Sequence, residues 1–206
     1  MTDIHVVTNA NRARYADLVE LHHKVRHDVF VGERGWKAIE RPDGRDVDAY
    51  DNEHAIYLLA VDGSKLVGGQ RLYPTTRAHM LSEVFPHLVQ VRRGLPTGRD
   101  VYEWTRYFVV RERRTGRTDC RLLAAMQQYC LDEGISSVTA VAETWWLPRV
   151  HMIGFKTKPL GVPQMIEGQP TIAVEVPISS DSLASVRSHA GLRGTALATR
   201  HFSQAA

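Results

Sequence analysis

VYEWTRYFVVRERRTGRTDCRLLAAMQQYCLDEGISSVTAVA, residues 101–142, decides the fold class. Residues 101–110 are aromatic and β-branched and read as a strand. An Arg-rich loop follows. Residues 117–134 carry helical apolar spacing, with Gly134 placed to close the helix. Residues 136–142 read as a strand again. Yet the first strand carries Glu103 and Arg106. Core strands keep charge off their inward face, so something polar has to be bound here.

Upstream, residues 11–30 read as a helix, with Asn9 or Asn11 as its cap. Residues 31–53 are too polar for a core element and too long for a simple turn. Trp36 within them argues for a loop that orders over something. Residues 54–62 and 65–76 flank Asp62-Gly63 and read as a hairpin. Residues 80–88 read as a short helical turn. Downstream, 144–154 reads as a helix with Pro148 near its start, and 171–178 as a strand. This order predicts an α/β (α+β) chain, one mixed sheet with helices on both faces, over residues 1–178. Residues 179–206 are rich in Ser, Ala and Arg and read as a loose helix or tail.

The 206 residues are 43% hydrophobic, enough for a real core. No stretch approaches the roughly 20 apolar residues of a membrane span, and no secretory leader is visible. A soluble, cytoplasmic protein is expected. Cys120 and Cys130 fit no metal motif and read as reduced core residues. Arg supplies 21 of the 26 basic residues. Its rigid fork of donors suits phosphates and carboxylates, so an anionic ligand or an acidic partner is expected.

Four sets of residues stand out. Arg26 and Phe30 lie one helical turn apart and suit a ligand with a carboxylate and an aromatic base; a snorkelling Arg and a core Phe suit them equally. Asp48 and Asp51 can face one way in a turn. They suit Arg71, whose place mid-strand demands a partner, or a cationic ligand. On a regular strand Glu103, Thr105, Tyr107 and Val109 share one face, and Trp104, Arg106, Phe108 and Val110 the other. Glu103 and Arg106 then meet only if a bulge re-aims one of them, Glu103 as a base and Arg106 as an anchor. Finally, Arg113 and Gly116 sit in a loop before a helix N-terminus, where a pyrophosphate would fit. His23 and His27 have helical spacing without a zinc motif and read as surface. No nucleophile motif and no metal site is expected.

Arg26-x-x-x-Phe30, Trp36, Asp48-x-x-Asp51, Arg71-Leu72-x-Pro74-Thr75-Thr76, the MLSEVFP run from Met80 and Glu103-x-x-Arg106 occur in that order. Together they resemble the acyl-homoserine-lactone synthases, the LuxI-type autoinducer synthases, across residues 15–178. The resemblance implies a V-shaped mixed sheet within a single three-layer αβα domain like that of GCN5-type N-acetyltransferases. It implies S-adenosylmethionine and an acyl thioester as substrates, with no permanently bound cofactor. Glu103 would be the base. Arg26, Phe30, Trp36, Asp48, Asp51, Arg71 and Arg106 would bind S-adenosylmethionine. Segments 33–48 and 143–164 are similar to those of family members that use coenzyme A esters of short branched or aryl acids. Trp104, Phe108, Ala140, Trp145 and Trp146 would line the acyl pocket, and Arg113 and Gly116 would meet the donor. Ala140 and Ala142 in place of hydroxyl side chains point to an unsubstituted acyl group. Acyl carrier protein is the alternative donor. No nucleic acid or membrane is expected as partner, and a monomer or weak dimer is. A general coenzyme A-dependent N-acyltransferase is the rival reading, and it would leave the Asp and Arg set unexplained. A nucleic-acid-binding module lacks a stacking motif.

Overall fold

The protein is described by a computed structural model over residues 2–198. Among these residues one mixed sheet holds eight strands in the order β1–β2–β3–β4–β5–β8–β6, with β7 also paired to β8. The strands are β1 (Thr2–Val7), β2 (Ile56–Asp62), β3 (Lys65–Pro74), β4 (Val101–Val109), β5 (Ser137–Glu143), β6 (Lys158–Pro159), β7 (Gln164–Ile166) and β8 (Gln169–Pro177). The helices are α1 (Ala16–His27), α2 (Met80–Glu83), α3 (Thr118–Asp132), α4 (Leu147–Met152) and α5 (Ser180–Ala190).

The crossover through α3 makes β4 and β5 parallel, as right-handed βαβ connections do. They pair only over Val101–Glu103 against Ser137–Thr139. Beyond that point β4 stays with β3 as far as Val109, and β5 stays with β8 as far as Glu143. The sheet therefore opens into a V whose apex is Glu103 and Thr139. Gly134 ends α3 at φ 69°, which a residue with a β-carbon resists. The Ile135 N–H bonds the Cys130 carbonyl at 2.8 Å and completes the turn.

Helices cover both faces. On one, Leu122, Leu123 and Met126 of α3, Val150 of α4 and Leu183 and Val186 of α5 share a core with Leu58, Leu72, Trp104 and Val138. On the other, Leu18 of α1 and Phe30 beyond it pack with Tyr57, Leu59 and Tyr73. Leu81 of α2 joins Leu88, Leu160 and Ala173 over the second arm of the V. Each such side chain stabilises the fold by about 1.5–3 kcal/mol on burial. This is the expected three-layer α/β domain with a V-shaped mixed sheet.

Several elements differ from the sequence reading. β1 was not expected: its six residues form a sheet edge in which Ile4, His5 and Val7 are buried without a regular alternation. β6 and β7 are too short to show as patterns. The first helix starts as a 3-10 turn at Arg12–Tyr15 and widens into a π-turn at Asp28–Glu33. Asn11 does not cap it; its side chain takes the Thr8 N–H at 2.8 Å and donates to the Val6 carbonyl. His23 is buried rather than on the surface. Residues 180–190 are a regular helix, capped by Ser179, whose Oγ accepts from the Ser182 N–H. It packs into the main core, so no structural boundary falls at 178. Residues 199–206 of the expected tail lie outside the described residues. Cys120 and Cys130 are free and buried, and burial pushes both thiols up.

Gln127 on α3 is fully buried, and neither polar atom of its side chain finds a partner. Methionine conserves the volume and removes the stranded amide. Gln127→Met should therefore gain about 1–3 kcal/mol, read as a higher urea midpoint with an unchanged slope. A lower midpoint would mean the amide is satisfied.

Candidate active site

Six charged side chains from four segments form a closed ring on the α1 face. Arg26 comes from α1, Arg71 from β3 and Arg106 from β4; Asp46, Asp48 and Asp51 come from the loop before β2. Arg26 holds Asp51 through two bonds, 2.8 and 3.1 Å, and Asp46 at 3.0 Å. Arg71 holds Asp48 at 2.5 and 2.9 Å and Asp51 at 2.9 Å. Arg106 holds Asp46 at 2.8 and 3.2 Å and Asp48 at 3.1 Å. Every Arg bridges two Asp and every Asp bridges two Arg.

The local chain explains how the loop delivers three carboxylates inward. The Asp46 N–H bonds the His23 carbonyl and pins the loop to α1. The Asp48 N–H donates to Asp51 Oδ2, and the Asp51 N–H to the Asp48 carbonyl, so 48–51 closes as a turn. Tyr57 donates its hydroxyl to Asp51 at 2.8 Å. Arg12 reaches across to the carbonyls of Asp51 and Asn52. Gly69 lies under α1, where an added β-carbon would stand 2.8 Å from His22 Nδ1.

Asp46 and Asp51 are held below their ordinary range. Burial opposes ionisation in both, but Arg106 and Arg26 outweigh it at Asp46, and Arg71 and Arg26 at Asp51. Burial also works against the charge on the arginines. At Arg26 and Arg71 the aspartates overcome it; at Arg106 burial wins and draws the guanidinium downward. Arg106 is also the most exposed cation of the ring, 7% open against none for Arg26 and Arg71. Asp48 is its most exposed acid, with a fifth of its side chain open against 2% or less for the other two. The ring presents one open corner, Asp48 beside Arg106.

A bulge brings Arg106 there. Gly69 pairs with Phe108, but Arg71 pairs with Thr105, so β4 carries one extra residue and Arg106 sits at φ 54°. The bulge reverses the strand's faces beyond Thr105. Glu103, Thr105, Arg106 and Phe108 face α1 and α2; Trp104, Tyr107 and Val109 face α3. Phe108 therefore does not join Trp104 as expected, but packs against His22 and Phe30. Phe30 stacks on Trp36 with centroids 4.8 Å apart and planes 16° apart. Arg106 lies over Phe30 at 5.8 Å. Phe30 and Trp36 thus stand at the ring's open corner.

Glu103 sits at the apex of the V, 1% exposed. Its two oxygens accept the backbone N–H groups of Met80 and Leu81, at the start of α2. Burial pushes its carboxyl up; those two bonds pull the other way and do not cancel it. Met80 also touches Arg106 through sulfur at 3.9 Å, which ties the apex to the ring's open corner.

Trp104 meets Trp146 at 5.4 Å and Tyr107 at 5.7 Å, and Tyr107 meets Trp146 at 5.5 Å. Trp104 is fixed by its indole N–H to Gln70, which is bonded in turn to the Leu122 carbonyl. Ala140 is buried on this same face. Trp145 does not point inward. It is 56% exposed, bonded to Glu143 and covered by Arg34 at 5.9 Å. Arg113 pairs with Asp62. Arg113 and Gly116 share an open cleft of about 320 Å³ with Arg117, Thr118 and Arg121. Three arginines on its walls suit phosphate groups.

Sequence reasoning missed Asp46, Arg12 and Tyr107. Asp46 has the one visible signal, an acid two residues before Asp48 in a loop rich in acids. The model of the family described as autoinducer synthase matches residues 9–186. The isovaleryl-homoserine lactone synthase of Bradyrhizobium diazoefficiens is 50% identical over 92% of this chain and 86% of its own length. The solved structure of a CoA-dependent acyl-homoserine lactone synthase, BjaI, with SAM and isopentyl-CoA superposes with a TM-score of 0.91 at 49% identity, over 94% of this chain and 92% of that one. A solved structure from Lactobacillus plantarum described as an N-acetyltransferase shares the fold alone, with a TM-score of 0.58 at 16% identity over 86% and 99% of the two chains.

Proposed function

This chain belongs to the autoinducer synthase family and is an acyl-homoserine-lactone synthase; we propose that it joins S-adenosylmethionine to the coenzyme A ester of a short branched acid such as isovalerate. The observation that carries the reading is the ring's single open corner, beside a stacked Phe30–Trp36 pair and facing the V. A charge-neutral ring of buried ions does not need a ligand to be stable, yet this one leaves its most open acid and its most open cation side by side. That is the complement of an amino acid's ammonium and carboxylate.

In this reading Asp48 takes the ammonium of S-adenosylmethionine and Arg106 its carboxylate. Arg26, Arg71 and Asp51 hold those two in place, with Asp46. Phe30 and Trp36 cover the adenosyl group and exclude water, which limits hydrolysis of the thioester. The amine must lose a proton before its lone pair attacks the thioester carbon. Glu103, raised by burial, is the base. Past the apex, β4 and β5 no longer bond each other, and their free edges flank the forming oxyanion. The thiolate leaves with a proton as coenzyme A. The carboxylate oxygen then attacks the γ-carbon, the carbon–sulfur bond breaks, and methylthioadenosine departs as the lactone closes. A carboxylate held only by an arginine already shared between two aspartates is free to make that move.

Trp104, Tyr107 and Trp146 form the floor of the acyl pocket, and their bulk favours a compact acyl group. Ala140 lines the same face and offers no hydroxyl to a 3-oxo group. The cleft of Arg113, Arg117 and Arg121 takes the phosphates of coenzyme A. Consumption of these substrates places the enzyme in the cytoplasm. Among the described residues no helix is long and apolar enough to cross a membrane.

Mass spectrometry of products tests this. Purified protein is given S-adenosylmethionine and isovaleryl, aryl or straight-chain acyl groups, each on coenzyme A and on acyl carrier protein. Homoserine lactone with equimolar methylthioadenosine is expected, fastest from isovaleryl-coenzyme A. Preference for the carrier protein would overturn the donor assignment. Acyl transfer with S-adenosylmethionine intact would overturn the reaction.

A further inference from the structure

Acylation of an ammonium followed by lactonisation releases one proton per turnover: two leave the nitrogen, and the departing thiolate keeps one. Glu103 is a confined place to leave the other. Each of its oxygens already accepts a backbone N–H, and it is all but sealed from solvent.

The residue before Met80 is His79, 1% exposed. Its Nδ1 lies 2.7 Å from the Arg77 carbonyl. A carbonyl only accepts, so Nδ1 carries a hydrogen and the neutral ring keeps its lone pair on Nε2. That Nε2 is buried and has no partner. The backbone of His79 is fixed as well: its N–H donates to Ser82 Oγ at 2.9 Å, and the Ser82 hydroxyl donates back to its carbonyl at 2.8 Å. The next residue, Met80, donates its backbone N–H to Glu103, so His79 directly precedes the segment that holds that carboxyl. Thr139 pairs with Glu103 across the apex and shares its face, since Val141, two residues on, packs with Leu81. The Thr139 hydroxyl is also buried without a partner. A basic nitrogen and a hydroxyl, both buried without a partner, thus belong to the residue before Met80 and to the strand neighbour of Glu103. These are the two to four polar contacts that a relay water requires.

We propose that His79 is the positioning base that drains Glu103, accepting on Nε2, across one water held by Thr139, the proton that Glu103 takes from the substrate amine. Glu103 returns to carboxylate, the imidazolium pairs with it, and the proton passes to solvent when product leaves. This rests on Glu103 being the base of the proposed reaction.

Asparagine at 79 keeps a donor for the Arg77 carbonyl and removes Nε2. His79→Asn should lower kcat at least tenfold, with KM for S-adenosylmethionine within twofold and the melting temperature within a few degrees. His79→Gly is the second variant, and added imidazole should restore its kcat severalfold. Glu103→Gln, measured alongside, separates the two readings. If His79→Asn turns over within twofold of the parent while Glu103→Gln is inactive, the role of His79 is lost and that of Glu103 stands. If Glu103→Gln is itself active, the underlying reading fails. If both His79 variants lose activity only as they lose stability, and imidazole restores nothing, His79 is structural and the proposal is overturned.

Discussion

Arg71→Leu should lower the unfolding free energy by about 3–5 kcal/mol. Leucine fills much of the same volume, so packing is not what fails. The loss comes from stranding charge. Arg71 is fully buried and is bonded to Asp48, Asp51 and the Thr105 hydroxyl. Removing it leaves two carboxylates with Arg26 and Arg106, both already shared. For a chain of this size each kcal/mol shifts the melting temperature by about 2–4 °C, so a fall of roughly ten degrees is expected. In the parent protein the folded carboxyls of Asp46 and Asp51 lie below their unfolded values. Their stabilisation is therefore complete above the unfolded pKa of about 3.9 and is lost only as the pH falls through the depressed folded values. Urea midpoints of the two proteins at pH 7 give the measurement. A gap below about 1 kcal/mol would mean that water already screens the ring, as for a surface pair.

Glu103→Gln should lower kcat by about 10²–10⁴, the usual contribution of a general base. The fold should survive, because glutamine keeps one oxygen for the two N–H groups of α2 and loses the other. That mismatch costs about 1–3 kcal/mol. KM for S-adenosylmethionine should hold, since Asp48 and Arg106, not Glu103, carry its charged groups. Single-turnover product formation separates chemistry from release. Turnover within tenfold of the parent would remove Glu103 from the base role.

Much of this was legible from residue types and spacing. The crossover from β4 through α3 to β5 shows in the change of apolar period and in Gly134. Arg71 shows because a charge in mid-strand needs a partner, Asp48 and Asp51 because a turn can face both one way, and Arg26 because Phe30 lies one helical turn on. Other features depend on three dimensions. Asp46 looks like any acid in a polar loop; its partners lie 20 and 60 residues away, on α1 and β4. The bulge could be posed as a condition for Glu103 and Arg106 to meet. Its effect on Tyr107 and Phe108, which exchange faces, follows only from the register with β3. Arg26 and Arg71 read equally well as ligands for a substrate carboxylate, and only the closed ring shows both occupied by aspartate. His79 gave no signal, because a short helical turn hides which side chains it buries.

The bulge at Arg106 also gives β4 two reading phases. Residues up to Thr105 are read in one and those from Phe108 in the other. Deleting Arg106 would restore a single phase and leave Tyr107, Phe108 and Val109 on the faces they already hold. The aromatic floor under the acyl group would stay in place, and the ring would lose its third cation. In the loop at 111–117, a few residues further on, a deletion of the same length would displace the arginines that line the cleft. The extra residue of β4 thus serves the ring and not the packing of the strand. Point substitutions can tune the pocket walls one by one, but only the added residue supplies the ring's third cation.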